Sequence, residues 1–153
     1  KWISFWIRKK FLKFKSKKKF YNKIYIDRSD SKFNLNNTRI ILNEKDIRKI
    51  LLKKNFKFIR LSEYNFKDQI AIFNNAKIIV GNHGAGFANL VFCKKNTKII
   101  EFIDKNTSKP IKKISKDLSL NYSSILGKRL NSDTGDQNNN LKIPTKKLIS
   151  ILK

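Results

Sequence analysis

Residues 78–92 read I-I-V-G-N-H-G-A-G-F-A-N-L-V-F, and no other stretch restricts the fold as tightly. A β-branched run (Ile78, Ile79, Val80) favours a strand. It stops at Gly81; His83, the chain's single histidine, and two more glycines, Gly84 and Gly86, follow at once. The apolar residues 87–92 then resume a pattern that suits a helix. A strand, a glycine-rich turn and a helix form the corner of an α/β sheet, and such a corner offers backbone N–H groups and a positive helix end to an anion. The spacing G-x-x-G-x-G is neither the dinucleotide fingerprint G-x-G-x-x-G nor the Walker pattern. Spacing alone therefore leaves two alternatives open: a phosphate cradle, or a tight turn that needs glycine for backbone reasons.

The flanking chain repeats the strand–helix alternation. Residues 23–27 (KIYID) alternate and are β-rich, and a polar loop spans 28–38. Asn43 is an N-cap candidate with Asp46 three residues on, opening a helix that carries Ile47, Ile50 and Leu51 and ends near Asn55. Residues 56–61 (FKFIRL) form a second strand. Ser62 or Asn65 starts a helix with Phe66, Ile70, Phe73 and Ala76 on one face. Residues 77–81, the glycine turn and its helix come next, then strand 98–102 (KIIEF), a short helix 111–120 and strand 122–126. Residues 131–140 read as a polar loop, and 145–152 as a last helix with Pro144 at its start. This order predicts an α/β fold: a Rossmann-like, mostly parallel sheet with helices on both faces. Ligands of such sheets sit at the carboxyl ends of the strands. There Arg28, the 81–86 turn and Glu101 are expected to converge.

At 153 residues the chain suits one such domain. It holds no methionine, which leads to the expectation of a piece of a longer protein. The net charge of +25 fits a polyanion partner, but lysine is spread along the chain together with abundant Asn and Ile, which favours a compositional origin. Residues 1–20 mix aromatics with lysine. They read as a helix arriving from a missing N-terminal domain, or as one lying on a membrane surface, with 15–19 as an exposed linker. Domain boundaries are accordingly 1–21 for this helix and linker, and 22–153 for the Rossmann-like domain.

The lone Cys93 reads as a buried structural thiol, and one His with one Cys makes no zinc set, so no metal is expected. His83 either donates to a phosphate or leaving group, or caps the turn. Arg28 offers a fork suited to phosphate, or is a surface cation. Glu101 interrupts an apolar strand, where a carboxylate is costly unless paired. It either accepts from ribose hydroxyls or pairs with a lysine. Asp27 and Asp30 read as loop acids.

These residues resemble the signature of glycosyltransferase family 61. In that family an apolar strand enters a G-x-H-G-A-G-x-T-N-L turn and helix, followed by a strand ending in I-E, as in KIIVGNHGAGFANLVFCKKNTKIIEF here. Upstream, KIYIDRSD resembles the family's Y-I-S-R strand and RIILNEKDI its R-R-x-x-N-E helix start, while residues 61–73 resemble its F-x-x-Q-I-x-x-F helix. Asn121-Tyr122 and the helix after Pro144 fit its ending, so the likeness spans about 22–153. Two departures are Asp27, where a small hydroxyl residue is common, and Ala88, where threonine is usual. The resemblance implies a nucleotide-sugar-dependent transferase of the two-domain GT-B type, with this chain as its C-terminal, donor-binding half. It implies that Arg28, Gly81, His83, Gly84, Ala85, Gly86 and Asn89 serve the donor diphosphate, with His83 stabilising the leaving group. Glu101 would lie near the nucleoside, and Asn43 and Glu44 carry over as motif residues of underived role. The implied donor is a nucleotide-diphosphate sugar, a UDP-sugar first, without a cofactor. The implied acceptor is a glycan or polysaccharide hydroxyl.

No general base for the acceptor stands out in the sequence, so the chain alone is expected to bind donor weakly and to be inactive. Bacterial surface-polysaccharide assembly is the expected setting, cytoplasmic and possibly peripheral at the membrane, with a secretory-pathway lumen as the eukaryotic counterpart. Two alternatives compete. One is a non-enzymatic basic module for nucleic acid or anionic membrane, although the chain has no nucleic-acid motif. The other is a dehydrogenase, which the missing G-x-G-x-x-G after the first strand opposes.

Overall fold

The computed structural model describes residues 2–29, 40–129 and 140–153. Five parallel strands form one sheet in the order β2-β1-β3-β4-β5: β1 (Lys23–Ile26), β2 (Lys57–Ile59), β3 (Ile78–Asn82), β4 (Lys98–Ile103) and β5 (Asn121–Leu126). The predicted α/β class, the parallel sheet and the order of strands and helices agree with this architecture. A parallel sheet covered on both faces needs strands that are apolar on both sides, and the alternation sorts their residues into two cores. Ile24, Ile26, Ile59, Ile79 and Ile99 pack on one face with Ile70 and Phe73 of α3 (Phe66–Asn75) and with Ile111 of α4 (Pro110–Asp117). Tyr25, Val80, Ile100 and Phe102 pack on the other with Ile47 and Leu51 of α2 (Glu44–Lys53) and with Leu148 of α5 (Thr145–Ile151).

Local signals account for several boundaries. The Asn65 side chain accepts the Asp68 amide hydrogen at 3.0 Å and so caps α3. Pro110 opens α4, where its missing N–H costs nothing.

Four expectations need correction. The segment after the glycine turn is a 3₁₀ helix, Ala85–Phe92, rather than an α-helix. A three-residue period aligns Phe87, Leu90 and Cys93, and all three are buried. Asn43 stands at the start of α2 but does not cap it. Its amide instead donates to the Ile143 carbonyl and accepts from the Ile143 N–H, both at 2.9 Å, tying α2 to the segment before α5. The four lysines of residues 15–19 are exposed, as expected of a linker, yet the segment is fastened to α3. The Ser16 amide donates to the Lys67 carbonyl at 3.0 Å, and Lys18 Nζ pairs with Asp68 at 3.0 Å. Finally, a short antiparallel pair, β6 (Lys128–Arg129) with β7 (Leu141–Lys142), extends the chain after β5. The predicted loop 131–140 lies outside the described residues apart from Asn140, as does Asp30.

Residues 1–20 do contain a helix, α1 (Trp2–Phe11). Ile7, Phe11 and Leu12 pack on the first core, and Arg8 Nη1 donates to the Val91 carbonyl at 3.1 Å and to that of Cys93.

Candidate functional site

The strand order turns around between β1 and β3. From β1 the chain goes outward to β2, then returns across β1 to lay down β3, β4 and β5 on its other side. Connections leave the carboxyl ends of β1 and β3 in opposite directions, and the crevice that opens there is where open α/β sheets take their ligands. Arg28 follows β1 and the glycine turn follows β3, so the fold brings the two together at this point. A crevice of about 160 Å³ lies between them, lined by Asp27, Arg28, Asn82, Gly84, Ala85 and Gly86 among others.

The glycines are required by close approach. No glycine among the described residues adopts the left-handed region, and Gly84 itself is extended (φ 165°, ψ 177°). A Cβ on Gly81 would stand 3.2 Å from both Ile26 Cβ and the Phe87 ring. One on Gly84 would meet Arg28 Nη1 at 2.9 Å, and one on Gly86 would meet Leu61 Cδ1 at 2.9 Å. Arg28 thus lies flat over Gly84, and its Nη1 donates to the His83 carbonyl at 2.8 Å. The cation and the turn hold each other in place.

The His83 ring is turned toward β4 and β5. Its Nδ1 lies 2.5 Å from Glu101 Oε1, and Tyr122 OH donates to Glu101 Oε2 at 2.6 Å. Glu101 is almost fully buried. Its partners are therefore an imidazole and a phenol instead of a lysine or an exposed ribose, and both of its oxygens are engaged. A carboxylate only accepts, so the hydrogen between it and His83 sits on Nδ1. Nε2 then has no partner among the described residues. Burial raises the Tyr122 hydroxyl well above its ordinary value, and donation to Glu101 adds to this.

Tyr122 was not singled out from the sequence as a site residue. The signal was register: it pairs with Ile99, two residues before Glu101 and on the same face of β4. Asn89 sits in the 3₁₀ helix and donates to Gln69 Oε1 at 3.1 Å, while Gln69 Nε2 donates to the carbonyls of Leu61 and Tyr64. Asn89 therefore anchors the turn to α3 and is not part of the crevice wall. Cys93 is buried, and burial raises its thiol well above the ordinary range. That agrees with the structural reading of this residue.

On the other side of β1 lies a larger cleft of about 1010 Å³, lined by Asp27, Asn43, Glu44, Arg48, Arg60 and Lys142 among others. Asp27 borders both spaces. Its carboxylate accepts from the Ser29 amide at 3.0 Å and from Arg48 Nη1 at 3.0 Å, and Arg48 also reaches Glu44 at 3.4 Å. Burial alone would raise the Asp27 carboxyl, but the Ser29 amide and Arg48 outweigh it and hold it below the ordinary carboxylate value. The described residues contain no cluster of three or more His, Cys, Asp or Glu side chains suited to a metal ion.

The fold is a doubly wound α/β domain whose strand order turns around at the β1–β3 crevice. The chain matches the family model described as Glycosyltransferase 61 over residues 2–100, about two thirds of its length, and belongs to that family of glycosyltransferases. No curated protein matches it. The match takes in α1, which the resemblance read from the sequence left out, and it ends one residue before Glu101. Arg28, Asn43, Glu44 and the glycine turn lie inside it, whereas Glu101 and Tyr122 enter the site through the geometry of this chain.

Proposed function

We propose that the chain binds a nucleotide-diphosphate sugar at the β1–β3 crevice and transfers its sugar to a glycan hydroxyl, acting as the donor half of a two-domain enzyme. Family membership supports transfer, and one observation carries the choice of site: Arg28 locked over Gly84 at the point where the strand order turns. Breaking the glycosidic bond leaves charge on the diphosphate, and preorganised donors lower the cost of that charge. The Arg28 guanidinium and the N–H groups opening the 3₁₀ helix are the donors in this reading. The larger cleft beyond Asp27 gives the rest of the donor or the acceptor a place beside the diphosphate, and it assigns Asn43 and Glu44 to the wall of that cleft.

His83 does not line the crevice itself, but its carbonyl holds Arg28 there, and this reading gives its ring a role beside the donor. Glu101 keeps the proton on Nδ1 and fixes the ring, so Nε2 is the nitrogen left to exchange a proton, the arrangement general acid–base catalysis needs. Protonated, Nε2 donates to the departing diphosphate. Neutral, it accepts the proton of the attacking hydroxyl. Glu101 acts through His83 and is a positioning residue, not a nucleoside contact.

Titration of the chain with UDP and with UDP-sugars, followed by amide shifts, tests the site. Shifts centred on residues 82–87 are expected. Gly84→Ala pushes the new methyl into Arg28 and is expected to weaken UDP binding about tenfold, the effect of one charge-assisted hydrogen bond, while the sheet stays intact by circular dichroism. Absence of any shift in the turn at millimolar UDP overturns the assignment.

A further inference from the structure

The outward face of α1 has no role in the site, and its chemistry is specific. Successive side chains of a helix are separated by about 100°, which divides α1 in two. Ile7, Arg8 and Phe11 face inward to the first core and to the carbonyls at the end of the 3₁₀ helix. Trp2, Phe5, Trp6 and Lys9 face the opposite way. Trp2 is 73% exposed and Trp6 55%, with Ile3 and Phe5 exposed beside them. Phe14, just after the helix, is also exposed, with Lys13 Nζ 5.1 Å from its ring centre. Residues 2–26 carry Arg8 and eight lysines and not one carboxylate.

We infer that this face inserts into the headgroup region of an anionic lipid bilayer and holds the domain at the membrane surface. Beside the two indoles, Phe5 and Lys9 of this face, with Arg8, Leu12 and Lys13, line an open hollow of about 550 Å³ whose charged groups are all cationic. Exposed indole and phenyl rings among cations and no carboxylates suit a soft anionic interface, where the ring enters the acyl boundary and the indole N–H remains among polar headgroups. The surrounding lysines add attraction to anionic lipid, and their long stems let the charges reach outward while the rings go in. No helix among the described residues is long and apolar enough to cross a membrane, so the contact lies on the surface. A glycan-building enzyme whose acceptor is held at a membrane would gain local concentration from it. The inference itself rests on the α1 face and stands apart from the donor site.

The chain's two tryptophans are Trp2 and Trp6, so its indole fluorescence reports this face directly. The experiment mixes the chain with phosphatidylglycerol-containing vesicles and, separately, with pure phosphatidylcholine vesicles. Expected are co-sedimentation with the anionic vesicles, a blue shift of the tryptophan emission, quenching by lipids brominated along the acyl chain, and weaker binding as salt rises. The Trp2→Ser/Trp6→Ser variant replaces exposed rings, keeps the inner face of α1, and is expected to lose roughly tenfold or more in vesicle affinity by sedimentation. Binding without a blue shift, or undiminished in the double variant, overturns the inference in favour of adsorption by overall charge. Indole quenching by single-stranded nucleic acid with no insertion into vesicles overturns it in favour of a nucleic-acid surface. Concentration-dependent self-association that hides the indoles without lipid assigns the face to a second copy.

Discussion

Two buried carboxylates stand at the carboxyl edge of the sheet, on opposite faces, and they are held in different ways. Asp27 follows β1 and belongs to the α2 side. Its partners are a guanidinium and a backbone amide, and Arg48 also lies over the Phe58 ring at 4.2 Å. Glu101 lies in β4 on the α3 side, and its partners are a phenol and an imidazole. A carboxylate locked to an arginine has its charge answered by a group that does not titrate near neutrality, so its environment fixes structure. A carboxylate shared between Tyr122 and His83 ends in a nitrogen that can take or give a proton. The same residue chemistry near the same edge of the sheet thus divides into a clamp and a pair to which we assign proton handling in the proposed reaction.

The largest effect expected from breaking this contrast falls on the clamp. Asp27→Ala leaves Arg48 without its main partner and is expected to destabilise the fold by about 2 kcal/mol, below the usual cost of breaking a buried pair because the Arg48 side chain is 37% exposed. Urea denaturation measures it. Because the Asp27 carboxyl is held below its ordinary value, its contribution is fully present above the unfolded value near 4 and is lost as pH falls through the folded one. The variant therefore loses less stability on acidification than the parent chain. An Asp27→Ala chain as stable as the parent would remove the distinction.

Glu101→Gln is expected to cost less, about 1 kcal/mol, because glutamine keeps an acceptor for Tyr122. Its signature is instead in the His83 ring. Nitrogen shifts of the imidazole are expected to show the hydrogen on Nδ1 in the parent chain, and the variant is expected to lose that single tautomer. A ring that keeps Nδ1–H without Glu101 would show that the carboxylate does not position it.

These two groups also mark how far the sequence could be read. The strands were legible from the β-rich alternation of 23–27 and 56–61 and from the apolar runs at 78–80 and 99–100, and the corner at Gly81 because glycine follows β-branched residues so abruptly. Glu101 stood out as a carboxylate in an apolar strand. Its partners did not, because they are set by the register of three parallel strands, and register is not written in any one segment. Asn43 shows the same limit. Its position before an amphipathic helix suggests a cap, and only the return of the chain 100 residues later supplies Ile143 as a competing partner. The 3₁₀ geometry of Ala85–Phe92 was hidden because a short run that is apolar but for Asn89 suits both helical periods. The aromatic side of α1 was visible as composition, while its division into a packed face and an open one required the neighbouring core.

The smallest expected effect tests whether Tyr122 belongs to the proton-handling pair or merely packs beside it. Tyr122→Phe removes one hydrogen bond to a charged acceptor at a partly exposed site, a loss of about 1 kcal/mol or less. The direction with pH is the more telling part. The Tyr122 hydroxyl is raised in the folded chain, by burial first and by Glu101 next, so the folded state holds this proton more tightly than the unfolded one. That contribution is complete below the unfolded value near 10 and declines as pH rises past it. The parent chain should therefore lose stability on alkaline titration more steeply than Tyr122→Phe, so that the two stability curves converge as pH climbs. Parallel curves would mean that neither burial nor Glu101 holds the phenol's proton, and the pair would shrink to Glu101 and His83.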